Sequence, residues 1–401
     1  MIDVVETLSS LVSIPSVNPM GRGAEGPHYY EAGMTTRLVQ LFEQMGVPCQ
    51  TQEVHPNRSN VYALLEGETP LDQGGVLMLW EAHQDTVPVE GMTIEPWTPT
   101  IRDGRLYGRG SCDIKGGMAS MLAAFSRLVE DRPANRPHLV MACTVNEEHG
   151  YTGATALADL WHDPAQVDHP LRRFLPRAPD GIIVAEPTEL NVVSAHKGVA
   201  RWRCRAKGRA AHSSSPSAGD NAIYRMARVL GILQKHAEQD VPRLGSHPLV
   251  GTPTLSVGVI SGGISVNTVP AECVIEIDRR VLPGESAPEA RQQVIDHLTA
   301  ALGDDALHVE HDAPFIMSGG LSDEDNGDLA TRLAAIAKDY GGGKIIGVPF
   351  GTDASAYSAA NARSVVFGPG SIAQAHTCDE WIDIQQLQQA AEILYQFGSA
   401  S

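Results

Sequence analysis

Leu77-Met-Leu-Trp80 runs straight into Glu81-Ala-His83-Gln-Asp85, and Val140-Met-Ala-Cys-Thr-Val145 runs straight into Asn146-Glu147-Glu148-His149-Gly150. Each is an unbroken apolar run followed at once by residues that carry charge or bind cations. Unbroken apolar character marks a strand covered on both faces. In open α/β sheets ligands bind beyond the carboxyl ends of such strands. Working outward, further short apolar runs occur at 60–65 and 181–185, and helical periodicity at 3–14, 29–45, 115–130 and 152–160. Strands alternating with helices predict an α/β domain whose mostly parallel sheet lies between helices.

After about residue 190 the pattern changes. Residues 199–207 alternate polar and apolar, 222–236 read as an amphipathic helix, 255–260 and 271–281 as strands, 286–302 as a helix and 307–311 as a strand. That order predicts a small α+β domain with an antiparallel sheet and two helices. The first pattern returns as a helix over 323–340, strands at 344–346 and 364–367, and a closing helix at 384–397. The expected organisation is a catalytic domain built from 1–190 and 315–401, with 191–314 inserted. The apolar stripe Ile223, Met226, Ala227, Leu230 and Leu233 is expected to cover the inserted domain's own sheet.

The chain has 401 residues, with 48 acidic against 30 basic side chains and a formal net charge of −18. This balance argues against a nucleic-acid or anionic-membrane partner. No apolar stretch approaches the roughly 18 residues of a membrane span. The opening Met1-Ile-Asp-Val-Val-Glu predicts no secretory signal. The six cysteines, at 49, 112, 143, 204, 273 and 378, form no Cys-x-x-Cys pair, so reduced thiols in the cytoplasm are expected.

Gly-x-x-x-x-Gly-Lys-Ser/Thr, Gly-x-Gly-x-x-Gly after a strand, and Gly-x-Ser-x-Gly are all absent, which lowers nucleotide binding and serine-hydrolase chemistry. Polar groups after strands stand out instead. His83-Gln-Asp85 offers an imidazole and a carboxylate able to fix its tautomer. Asp113, in Gly108-Arg-Gly-Ser-Cys-Asp113-Ile-Lys-Gly-Gly, reads either as a helix N-cap or as a ligand in a crowded glycine turn. Glu147 and Glu148 end a buried strand, where paired carboxylates are costly unless something neutralises them. Glu186 follows the run 182–185, and His376 sits in a glycine-rich loop after 364–367. Together His83, Asp113, Glu148, Glu186 and His376 suit two divalent cations bridged by one carboxylate, with Glu147 left as a base.

These stretches, with His196-Lys-Gly, Ala211-His212-Ser-Ser, Asn267-Thr-Val-Pro and Gly368-Pro-Gly…Ala375-His376, resemble the zinc aminoacylase and carboxypeptidase metallohydrolases. That family includes acetylornithine deacetylase and succinyl-diaminopimelate desuccinylase, and acetylornithine deacetylase is the branch this sequence looks closest to. The resemblance implies two Zn2+ per chain, with Co2+ or Mn2+ as possible substitutes. His83 and Glu186 would hold one ion, Glu148 and His376 the other, and Asp113 would bridge. It further implies Asp85 behind His83, Glu147 as acid and base, and a homodimer through the inserted domain. His212 would then reach the partner's site as an oxyanion donor. Asn267 and Arg280 match residues that hold the substrate's carboxylate end, with Arg279 facing the other side of its strand. Gly351-Thr352-Asp-Ala departs from the acetylornithine branch and is more similar to the carboxypeptidase and diaminopimelate branches.

The expected activity is removal of an acyl group from an N-acyl amino acid, N-acetylornithine first. Succinyl-diaminopimelate desuccinylase and a carboxypeptidase or dipeptidase are the alternatives. A metal-free binding protein of this fold would be expected to show a broken ligand set, and this sequence keeps every ligand.

Overall fold

The computed structural model describes residues 2–399. Two compact units emerge: Ala195–Ser322 with Gly347–Gly351 forms one, and the rest of the described chain forms the other. The inserted unit thus starts and ends later than the expected 191–314. The shift follows from strand pairing, because Ile316–Ser318 pairs with Gly198–Lys207 and stays with the insertion.

The larger unit is built on a mixed eight-stranded sheet. Its order is Cys49–His55, Arg58–Leu65, His138–Thr144, Leu77–His83, Gly181–Val184, Ser364–Val366, Val192–His196 and Ile345–Val348. The middle four strands pair in parallel. Arg58–Leu65 runs antiparallel to His138–Thr144, and Val192–His196 antiparallel to Ser364–Val366. The four parallel strands carry the fully buried runs, and their carboxyl ends therefore converge on one rim. Cys49–His55 escaped the sequence reading because it is a half-exposed edge strand of largely polar residues.

Strand alternation divides each central strand between two layers. Met78, Trp80 and Ala82 join Leu8, Leu11, Phe42, Met118, Leu122, Phe125, Ile393 and Phe397 in one core. These come from the helices Val4–Val12, Ala32–Met45, Lys115–Asp131 and Ile384–Ser399. Glu81 and His83 belong to the other alternation set. Asp3 caps the first helix, its Oδ1 accepting the Val5 and Glu6 amides at 2.9 Å each.

The inserted unit has an antiparallel sheet in the order Thr254–Gly262, Glu272–Val281, Gly198–Lys207 and Val309–His311. The helices Ala222–Gln239 and Ala287–Leu302 share its core with Trp202, Cys204, Ile275 and Ile277. The buried row of the first helix runs Ala222, Met226, Val229, Leu233 and His236, whereas Ile223 is 40% exposed. The stripe read from the sequence is therefore rotated at its start, and it ends on a histidine. All six cysteines are free. Among the described residues, no helix is long and apolar enough to cross a membrane.

Candidate metal centre

The pairing register builds the site. His83 ends its strand opposite Thr144 of the neighbouring strand, and Glu81 pairs with Val184 of the other neighbour. The residues that follow these three strands, Glu147-Glu148 and Glu186 among them, therefore emerge side by side. Ser364–Val366 lies next in the sheet and leads into the glycine-rich loop that brings His376. At Gly368 a Cβ would stand 2.5 Å from the Glu186 carbonyl oxygen, so glycine there lets this loop close on Glu186.

Asp113 does not cap the helix that follows it. Its Oδ1 lies 3.4 Å from His83 Nε2, and its Oδ2 lies 3.3 Å from His376 Nε2. Glu148 Oε2 is also 3.3 Å from His376 Nε2. The groups form two clusters, His83–Asp113–Glu186 and Asp113–Glu148–His376, each with ligand atoms within 4.8 Å of one another. Asp113 belongs to both and sends one oxygen to each.

Two tests show that these residues fit divalent cations. The first is separation: ligands about 2.0–2.1 Å from a tetrahedral zinc lie about 3.3 Å apart. The nitrogen–oxygen distances of 3.3–3.4 Å match that spacing and are longer than charge-assisted hydrogen bonds. The second is satisfaction: His83 Nε2 and Glu148 Oε1 are buried without a hydrogen-bond partner. Buried polar atoms rarely stay unpaired, so both point to a missing ligand.

The imidazole is set from behind. His83 Nδ1–H donates to the Asp85 carbonyl at 3.0 Å, which in the neutral ring leaves the Nε2 lone pair facing Asp113. The Asp85 carboxylate lies 3.6 Å from the same nitrogen. Its closer partners are the Glu147 and Glu148 amides, at 3.1 and 3.2 Å, and Asn18 Nδ2 at 2.8 Å. Asp85 thus orients the ring mainly through its backbone, while its carboxylate holds the Glu147-Glu148 turn. Asn146, at φ +66°, starts that turn, and its Oδ1 accepts from Asn18 and from Arg58.

The electrostatics show a surplus of negative charge. Burial pushes the Glu147 and Glu186 carboxyls well above the usual range. Burial and the neighbouring Asp113 charge push Glu148 up to about 7. Hydrogen bonds to Asp113 and Glu148 raise His376 to about 10. Burial opposes ionisation of Asp113, yet the two histidines outweigh it and hold its carboxyl below the usual range. Divalent cations would replace these shared protons and relieve the repulsion. The His376 side chain is 55% exposed while that of His83 is 2% exposed, so the cluster containing His376 is the one open to solvent.

Three buried carboxylates escaped the sequence reading. Glu81 and Asp353 share the Thr144 hydroxyl, 3.1 Å from Asp353 Oδ2. Burial raises both, Asp353 to about 7. Glu81 lies two residues before His83 on a buried strand, and that alternation was the available signal. Glu380 accepts from four donors: Arg109 Nη1 at 2.7 Å, and the amides of Gly110, Cys112 and Asp113 at 3.0, 2.8 and 3.0 Å. It holds the loop that presents Asp113.

The remaining expected residues lie elsewhere. Thr352 is fully buried and its hydroxyl accepts the Ala354 amide at 3.2 Å. Gly351 belongs with the inserted unit. In that unit His212 pairs with Thr268 across a two-stranded ribbon, and the Ser213 amide donates to the Asn267 carbonyl, so His212 and Asn267 are neighbours. Both are exposed. Arg280 donates from Nε and Nη2 to the two Asp278 oxygens, at 2.8 and 3.1 Å. Arg279 is buried on the opposite face against Glu285.

An α/β sheet that gathers carboxylates and imidazoles in two clusters at the ends of its parallel strands defines a metal-dependent hydrolase acting on linear amide bonds. Residues 79–399 match the family described as Peptidase family M20/M25/M40, and the chain belongs to it. Among similar solved structures is a tripeptidase from Staphylococcus aureus: 20% identity, TM-score 0.75, covering 99% of this chain and 97% of that one. Human carnosine dipeptidase 1 is 16% identical, with TM-score 0.72 and coverage of 99% and 96%. A Bacillus subtilis protein described as a dinuclear metal-binding peptidase of the M20 family is also 16% identical, with TM-score 0.65 and coverage of 99% and 96%.

Proposed function

We propose that this protein is a dinuclear zinc amidohydrolase that removes the acyl group from an N-acyl amino acid, with N-acetylornithine as first candidate. The observation that carries the metal centre is Asp113, whose two oxygens each face a different ligand cluster. His83 and Glu186 would hold one ion, Glu148 and His376 the other, with Asp113 between them. When bound, two such cations polarise the amide carbonyl and acidify the attacking water.

The chain's own residues do the rest. Glu147 belongs to neither cluster, and burial raises its carboxyl well above the usual range, the direction a proton shuttle needs. It takes the proton of the attacking water and passes it to the leaving amine nitrogen. Asp85 fixes the direction of His83 and the backbone of Glu147 and Glu148. His212 Nδ1 accepts from the Ser214 amide at 3.2 Å, so the neutral ring carries its proton on Nε2. An exposed Nε2–H suits an oxyanion donor. Asn267 is its neighbour and would share the substrate's carboxylate end with Arg280, whose fork would leave Asp278 or be shared with it. Gly351 and Thr352 would shape the acyl pocket through their backbone.

A homodimer through the inserted unit is part of this reading. The strand Thr254–Gly262 is an edge of its sheet, and Val259 and Ile260 on it are more than half exposed, with Ile264 and Val266 beyond. Such an edge invites a partner strand. Six free cysteines fit a reducing, cytoplasmic setting.

The motif His196-Lys-Gly and the tail through His376 favour acetylornithine, while the loop at Gly351 is more similar to the carboxypeptidase and diaminopimelate branches. Structural likeness to a tripeptidase and a dipeptidase favours a second reading, hydrolysis of short peptides. The test is metal content together with amide cleavage on acetylornithine, acetylcitrulline, succinyl-diaminopimelate, acetylmethionine and a glutamate-terminated dipeptide, with and without chelator. Two zincs per chain that Asp113→Asn abolishes, with chelator-sensitive turnover of acetylornithine, support the first reading. Turnover of the dipeptide alone supports the second, and failure to bind metal at any zinc concentration overturns both.

A further inference from the structure

A third group of cation-binding side chains lies outside the centre described above. His236 is in the last turn of the helix Ala222–Gln239, Asp240 is the residue that ends that helix, and His297 comes from the helix Ala287–Leu302. His236 is 8% exposed and lies on the buried side of its helix with Met226, Val229 and Leu233. Its Nδ1 lies 3.0 Å from Asp240 Oδ2. The His297 ring stacks on the His236 ring, with centroids 3.9 Å apart and planes 21° apart. One ligand atom from each of the three lies within 4.8 Å of the others.

Spacing of four residues puts His236 and Asp240 on one face of a helix. The 3.0 Å between His236 Nδ1 and Asp240 Oδ2 is a hydrogen-bond distance, and an ion between them would widen it to about 3.3 Å. The His297 imidazole comes from a different helix, and its ring would turn out of the stack to aim a lone pair at the same ion. Burial and the neighbouring His236 hold His297 below the usual histidine range. Two cations oppose binding by their charge: Lys235 acts on His297, and Arg243 acts on Asp240. Two imidazoles and one carboxylate suit a borderline transition cation and are a poor set for Mg2+ or Ca2+.

We propose that His236, Asp240 and His297 form a separate structural site for one divalent transition-metal ion of the Zn2+ or Cu2+ type, clamping the two helices of the inserted unit. Three protein ligands leave the fourth position to water, and the half-exposed Asp240 carboxylate gives the ion a way in. Binding there would stabilise the inserted unit, because an ion held by two helices favours their packed state.

The test uses the full-length chain and does not depend on the catalytic reading. Asp113→Asn disables the shared bridge of the other two clusters and isolates the new site. Chelator-stripped Asp113→Asn is titrated with Zn2+ and then Cu2+, and bound metal is counted by elemental analysis. One ion per chain is expected, falling to none in Asp113→Asn/His297→Ala and binding at least tenfold more weakly in Asp113→Asn/Asp240→Asn. In the otherwise native chain, His297→Ala should lose one ion while its amide hydrolysis is unchanged. Asp240→Asn keeps shape and is half-exposed, so it serves if the alanine variant fails to fold. Equal metal content with and without His297, or equal affinity with and without the Asp240 carboxylate, overturns the proposal.

Discussion

Replacing Glu380 by glutamine tests whether the metal centre depends on a residue that never touches the metals. The carboxylate receives four donors on two oxygens: Arg109 Nη1 and the Gly110 amide on Oε2, and the Cys112 and Asp113 amides on Oε1. Glutamine keeps the shape but can accept on one side only. Whichever way its amide turns, an NH2 group faces two donors. Two hydrogen bonds are lost, and Arg109, 3% exposed, is left without its counter-charge. Removing one partner of a buried pair costs about 3–5 kcal/mol. Part of that cost falls on the loop that presents Asp113.

Because Asp113 serves both clusters, loosening the loop weakens both ions together. Loss of a partner that orients a ligand typically weakens metal binding about 10–100-fold. The assay is competition between Glu380→Gln and a chromogenic chelator for Zn2+, with circular dichroism confirming the fold. Both ions should weaken by at least about tenfold, and kcat should fall at subsaturating zinc. A variant that unfolds more easily yet binds both ions with native affinity would refute the reasoning, because Glu380 would then serve stability alone.

Asp113→Asn should abolish binding at both catalytic clusters, whereas His376→Ala should leave the buried His83–Glu186 ion, as elemental analysis of the two variants would show. Glu147→Gln should keep its metal content and lose about 10²–10⁴-fold in kcat, because it belongs to no cluster and acts by proton transfer. The inserted unit should lose stability in acid through His311, whose Nδ1 accepts the Trp202 indole N–H at 3.1 Å and whose folded pKa is held down to about 4 by burial and Arg291. The unfolded ring takes its proton near pH 6.5 and the folded one does not, so this stability is complete above 6.5 and falls from there to 4. The loss is at most about 3 kcal/mol, and His311→Gln should flatten the urea midpoint across that range.

The parts of the site visible in the sequence share one property. His83, Glu147, Glu148 and Glu186 follow directly on apolar runs, so local patterning placed them at strand ends before any fold was known. The inserted domain was visible for a related reason, a change from continuous to alternating apolar character after about residue 190. Its true limits were not visible, because Ile316–Ser318 is a three-residue strand that joins by pairing with a strand more than a hundred residues away. Asp113 read equally well as a helix cap, and only its distances to two histidines decide the matter.

What stayed hidden are the groups whose meaning is entirely long-range. Glu380 lies 267 residues from Asp113 and looks like one more acidic side chain in a C-terminal loop. Asp353 looks like the start of a helix, and becomes part of the centre only when it meets Thr144, 209 residues earlier. His236 lies beyond the stripe that ends at Leu233, and its partner His297 comes from another helix. A ligand can be recognised by what it is, but a brace is recognised only by what it holds. Sequence reading therefore finds the atoms that touch the cation before those that fix their geometry. The difference matters for engineering this site: swapping visible ligands changes which ion is bound, and changing Glu380 or Asp85 alters how firmly any ion is bound.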